Sequence, residues 1–88
     1  MELKRVVITG VGIVSPLGIG VEETWSALIA GKSGAAPITH FDASKFNTQF
    51  ACEVKGFDPN QYFDRKEARK LDRYAQYAIV AAKEAIEN

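Results

Sequence analysis

From Glu2 to Val14 the chain carries apolar β-branched side chains at Val6, Val7, Ile8, Val11, Ile13 and Val14, on both sides of a pleat. This pattern predicts a strand covered on both faces. Such a strand belongs inside a larger sheet, because it needs neighbours along its edges and helices above and below. With 88 residues there is room for one small domain at most, and a domain of that size buries only roughly 60–65% of its unfolded surface.

The remaining elements are too few to supply the cover. Val21 to Ala30 has Val21, Trp25, Leu28 and Ile29 at the spacing of one buried helical face, with Glu22 and Glu23 in the first turn and Gly31 as the stop. Lys32 to Asn47 reads as ordered loop, with Phe41 and Phe46 as anchors and turn formers at Ser33, Gly34, Pro37 and Asp42. Phe50, Cys52 and Val54 alternate with Ala51, Glu53 and Lys55, a short strand with one buried face. Asp58 before Pro59 predicts a cap and a single helical turn ending near Tyr62. From Arg65 to Glu87 apolar residues recur at three and four positions, which predicts one rod roughly 34 Å long, with Asp64 and Glu67 as a capping box. One doubly buried strand, one short strand and two helices cannot cover each other. The expectation is an incomplete α/β fold without an independent domain, finished by further sequence or by a second chain.

Eleven basic residues balance eleven acidic ones, so net charge implies neither nucleic acid nor an anionic membrane as a partner. No apolar stretch approaches the roughly 20 residues of a membrane span, and MELKRVVITG lacks the features of a secretory signal. Cys52 is the only cysteine, which excludes an internal disulfide and makes the cytoplasm the expected compartment.

Gly10 and Gly12 match two positions of the dinucleotide fingerprint G-x-G-x-x-G, but Ser15 stands at the third and Pro16 follows. The helix begins only near Val21, and no acidic residue lies between Lys32 and Ile38 to hold a ribose. The better reading is that the two glycines admit a neighbouring backbone or helix. Cys52 and His40 would be a conceivable nucleophile and base, but a cysteine on a strand is usually a small buried hydrophobe. One cysteine and one histidine offer no metal-ligand spacing.

The sharpest local feature is DRKEARKLDR. On a continuous helix Lys66, Arg69, Lys70 and Arg73 share a face, in turns where the helix dipole disfavours cations. A face that accepts this cost is a candidate anion-docking surface. The alternative is a solvated charge run partly neutralised by Glu67 and Asp72.

ITGVGIVSPLG (Ile8 to Gly18), TWSALIAGKSG (Thr24 to Gly34), HFDASKF (His40 to Phe46) and DRKEARKLDRYAQYAIVAAKEAI (Asp64 to Ile86) occur in order over essentially the whole chain. Together they resemble the start of a beta-ketoacyl-acyl-carrier-protein synthase, most of all the type II enzyme of bacterial fatty-acid elongation. The resemblance implies the amino-terminal part of a thiolase-like α-β-α-β-α layered fold, working as a homodimer without an organic cofactor. It also implies decarboxylative condensation of an acyl group with malonyl on acyl carrier protein. The family works with a cysteine nucleophile and two histidines that lie well beyond the region matched, and Cys52 and His40 do not fall on those motifs. No catalytic, cofactor or metal residue is therefore expected in these 88 residues. What the resemblance does carry over is carrier-protein docking by Lys66, Arg69 and Lys70, with Arg65 and Arg73 as adjacent candidates. Two other readings stay open: a catalytically silent chain-length subunit of a polyketide system, and a small non-enzymatic domain that binds an acidic protein.

Overall fold

A computed structural model describes residues 3–87. In chain order the elements are β1 (Val14–Ser15), β2 (Gly18–Ile19), α1 (Val21–Ile29), β3 (Ala36–Pro37), β4 (Phe50–Ala51), a 3₁₀ turn (Pro59–Gln61), α2 (Arg65–Lys70) and α3 (Arg73–Glu87). Two small antiparallel pairs form: β1 with β2, register Val14 to Ile19, and β3 with β4, register Ala36 to Ala51.

The long strand expected over Glu2 to Val14 is replaced by an extended run. Glu2 lies outside the described residues, and residues 3–13 join no sheet among those described. Val6 and Ile8 are 87% and 84% exposed. The apolar pattern is that of a central strand, and among the described residues there is no second strand long enough to pair with it. Helix α1 forms where its spacing predicts, but Thr24 and Ala27 are its buried residues, while Trp25 is 59% exposed and Leu28 and Ile29 also face outward. The expected buried face of the short strand is likewise open: Phe50 and Cys52 are exposed, and pairing stops at Ala51.

The open packing shows in the dimensions. The radius of gyration is 16.5 Å, against about 12 Å for a compact domain of this length. The accessible surface is 7410 Å², against about 5100 Å² for a compact monomer of this mass. Ala27, Ala43 and Val80 are the buried apolar residues among those described.

What order there is comes from polar ties and close backbone contact. Ser15 Oγ takes N–H bonds from Leu17 (3.2 Å) and Gly18 (3.2 Å) and lies 2.9 Å from the hydroxyl of Thr24, so the turn after the extended run is seated on α1. Gly10 and Gly12 lie against α3: a Cβ at either position would overlap the carbonyl oxygen of Ala85 or Ala81. The close approach expected of the two glycines is therefore present, and the neighbour is a helix backbone.

Glu84 closes the arrangement. From α3 its carboxylate accepts the N–H of Ile13 at 3.0 Å and of Val21, the first residue of α1, at 2.9 Å. Gly20 sits between them at φ 109°, a conformation that suits glycine. Hydrogen bonds to a charged acceptor contribute about 1.5–3 kcal/mol, so Glu84→Ala should cost the complete protein about 2–4 kcal/mol. Glu84→Gln, which keeps one acceptor oxygen, should cost about half of that. Urea unfolding of the three proteins side by side checks the order, and equal stability of all three would contradict it.

Asp58 and Pro59 behave as their sequence predicts. The Asp58 carboxylate accepts the Asn60 N–H at 3.0 Å at the start of the 3₁₀ turn. The rod expected from Arg65 to Glu87 is instead broken: Leu71 is extended (φ −108°, ψ 132°), and a new helix starts at Arg73 with the Asp72 carbonyl accepting the Gln76 N–H at 3.0 Å. Asp64 has cap-like backbone angles but makes no capping hydrogen bond through its side chain, so the expected capping box is not formed.

Candidate functional site

The break at Leu71 divides the basic residues. Arg65, Lys66, Arg69 and Lys70 lie on α2, and Arg73 opens α3. They do not share one continuous helical face. Arg69 and Lys70 occupy the last turn of α2, where cations complement the dipole, so the dipole penalty expected for them is absent.

Their availability is a separate matter from the dipole. All five are exposed, and none forms an ion pair among the described residues, although Glu67 and Asp72 are close in sequence. Glu67 and Asp72 make no ion pair with them.

Arg65 and Arg69, one turn apart, line a shallow depression of about 410 Å³ together with Arg73, Pro59, Ala68 and Gln76. Arg73 is held there by Phe57: its Nη1 donates to the Phe57 carbonyl at 3.5 Å, and the guanidinium carbon lies 5.6 Å from the centre of the Phe57 ring. Phe57 is itself stacked on Tyr62 at 5.4 Å and meets Tyr77 edge-on at 4.9 Å. Lys70 borders a different depression, beside Glu67, Leu71 and Lys83.

The other candidates do not assemble. His40 Nδ1 lies 3.3 Å from Glu53, whose carboxylate also accepts from the Thr39 hydroxyl at 2.9 Å and from the Thr39 and His40 N–H groups. Desolvation pushes the Glu53 carboxyl up, but the hydrogen bonds from Thr39 and His40 outweigh it and leave the group below its ordinary range. His40 is thus engaged with a loop carboxylate, and Cys52, expected as a small buried hydrophobe, is exposed. No cluster of metal-ligating side chains occurs among the described residues, and no helix there is long and apolar enough to cross a membrane. At the glycine-rich turn, the amino terminus of α1 already binds the Glu84 carboxylate, the position that a nucleotide phosphate would need.

Residues 3–88 match the family model described as "Beta-ketoacyl synthase, N-terminal domain". The chain belongs to the beta-ketoacyl synthase family. Two curated relatives named "3-oxoacyl-[acyl-carrier-protein] synthase 2" match all of it: one from Coxiella burnetii is 56% identical over 88 residues, and one from Vibrio cholerae is 51% identical over 88 residues. A relative of the same name from Synechocystis is 45% identical over 86 residues, 98% of this chain. In each case the chain spans 21% of the relative's length. Among solved structures, "The ishigamide ketosynthase/chain length factor" superposes on 92% of this chain and 20% of its own length, with a TM-score of 0.81 and 43% identity. The beta-ketoacyl synthase segment is thus part of a thiolase-like α/β architecture, as its motifs imply.

Sequence reasoning missed two residues that organise this segment, Gln76 and Glu84. Gln76 is 4% exposed and Glu84 joins three elements, yet each reads in sequence as an ordinary polar position on a helix. The helix break had a usable signal in Asp72, a preferred N-cap residue.

Proposed function

We propose that the chain is the amino-terminal segment of a 3-oxoacyl-acyl-carrier-protein synthase of fatty-acid biosynthesis. The complete protein is a cytoplasmic homodimer that condenses acyl groups with malonyl-acyl carrier protein and releases carbon dioxide, without an organic cofactor. In this reading the 88 residues supply scaffold and the docking surface for the acidic carrier protein, through Lys66, Arg69 and Lys70 with Arg65 and Arg73 beside them, and no catalytic residue. The observation that carries it is the set of exposed, unpaired cations on α2, within a chain that synthase relatives match from end to end.

The segment does not fold as a domain by itself. Its open apolar surfaces, from Val6 to Ile8 and along Trp25, Leu28 and Ile29, are the faces on which the rest of the protein lies. The complete protein should release carbon dioxide from malonyl-acyl carrier protein in the presence of an acyl primer. The isolated 88 residues should be inactive and unfold without a cooperative transition. A sharp unfolding transition together with dispersed amide spectra would instead favour a small domain that binds an acidic protein.

The likeness to the ketosynthase/chain length factor structure favours a second reading, a catalytically silent chain-length subunit. Condensation by the complete protein alone excludes it. Condensation only after an active ketosynthase is added establishes it.

A further inference from the structure

Gln76 lies in the first turn of α3, and its amide reaches back across the helix break. Nε2 donates to the Ala68 carbonyl at 3.0 Å and to the Leu71 carbonyl at 3.3 Å. Both carbonyls belong to the end of α2 and the extended residue that follows, where helical partners run out. Two accepting neighbours also fix which end of the amide is the nitrogen. Gln76 therefore fastens α2 to α3 at the angle that brings Arg65 and Arg69 alongside Arg73. On an unbroken helix Arg73 would continue the face of Lys66, Arg69 and Lys70. The break moves it to a depression that Lys66 and Lys70 do not line.

We propose that Gln76 is a positioning residue for the docking surface, holding Arg65, Arg69 and Arg73 as one clamp for two neighbouring carboxylates of the acidic carrier protein. This rests on the docking reading given above. Two carboxylates suit the site for three reasons. Three guanidiniums lack any acidic partner among the described residues, so a single carboxylate would leave most of their charge uncompensated. The depression, about 410 Å³, is much larger than one phosphate group. Pro59, Ala68 and Leu71 in its lining offer apolar surface to the methylene stems of Asp or Glu side chains. The lysines act separately, as mobile point charges on the neighbouring stripe.

The experiment uses the complete protein and acyl carrier protein as the probe, with KM, kcat and salt dependence as readouts. Arg73→Gln and Gln76→Met should each raise the carrier-protein KM about 3- to 10-fold. Neither should change kcat or the KM for a small acyl thioester, and both should flatten the salt dependence. Because Gln76 acts through the arginines, Gln76→Met should add less than twofold in an Arg69→Gln/Arg73→Gln background. A structural role alone would give independent losses in that background and a lower kcat for every substrate, and either result overturns the proposal. Arg73→Gln alters an exposed side chain and tests the clamp even if Gln76→Met fails to fold. If Lys66→Gln and Lys70→Gln weaken the carrier protein while Arg73→Gln does not, the clamp is wrong and docking stands. If none of the variants changes the carrier-protein KM, docking itself is wrong. Protection of the arginines by inorganic phosphate, with no response to the carrier protein, would mark a phosphate site and also overturn the clamp.

Discussion

Gly12→Ala is expected to destabilise the complete protein by about 4 kcal/mol or more, enough to remove most of the soluble enzyme. The added methyl would be driven into the carbonyl oxygen of Ala81, with the Ala81 carbonyl carbon and the Ala85 nitrogen also within 3 Å. Overpacking against a side chain usually costs about 1–3 kcal/mol, because the side chain can turn aside. Here the obstacle is the backbone of α3, and moving it means breaking helical hydrogen bonds. A second variant separates the two cases: Ala81→Gly, which removes only a methyl, should not rescue Gly12→Ala. Soluble yield and urea midpoints of the three proteins are the measurements. Near-normal stability of Gly12→Ala would show that α3 does not lie on the extended run in the complete protein.

Reversing Lys66, Arg69 and Lys70 to glutamate together should raise the KM for acyl carrier protein by two to three orders of magnitude. For a small acyl thioester it should stay within about twofold. The change replaces three positive charges by three negative ones on a surface facing an acidic partner, and like charges brought together across an interface cost several kcal/mol. A hundred- to thousandfold change corresponds to about 3–4 kcal/mol at 1.4 kcal/mol per decade. Stability should be little affected, because all three residues are exposed and glutamate is a good helix former. The salt dependence should change as well: the native protein loses affinity as salt rises, and the variant should show a flat or inverted response. Equal losses for carrier protein and small thioester would remove the docking assignment.

The parts of this structure that sequence reading captured are those decided locally. Asp58 and Pro59 start a turn because a carboxylate beside a proline meets the next free N–H group, whatever lies elsewhere. Helix α1 forms where its spacing says, and Gly10 and Gly12 serve the close contact that glycines in a strand usually mark. The failures concern partners distant in sequence. The pattern from Val6 to Val14 reads as a fully surrounded strand, but among the described residues no strand pairs with residues 3–13, and the side chains stand open. Trp25, Leu28 and Ile29 repeat the lesson on α1. For the site, the charged residues could be listed from sequence, but their grouping could not. Leu71 adopts an extended conformation, and Gln76 stabilises the break by long-range bonds that leave no periodic trace.

The Glu84 tie bears on the order of events during synthesis. It joins residues separated by 71 and 63 positions, so the extended run and the start of α1 are not tied to α3 until the end of that helix has left the ribosome. At roughly 5–20 residues per second that is a wait of about 4–14 s before the two ends of the tie can meet. The closing contact is also of high contact order, and so is entropically late. The tie is therefore made after the local contacts of α1, and it fastens elements that already have their own shape.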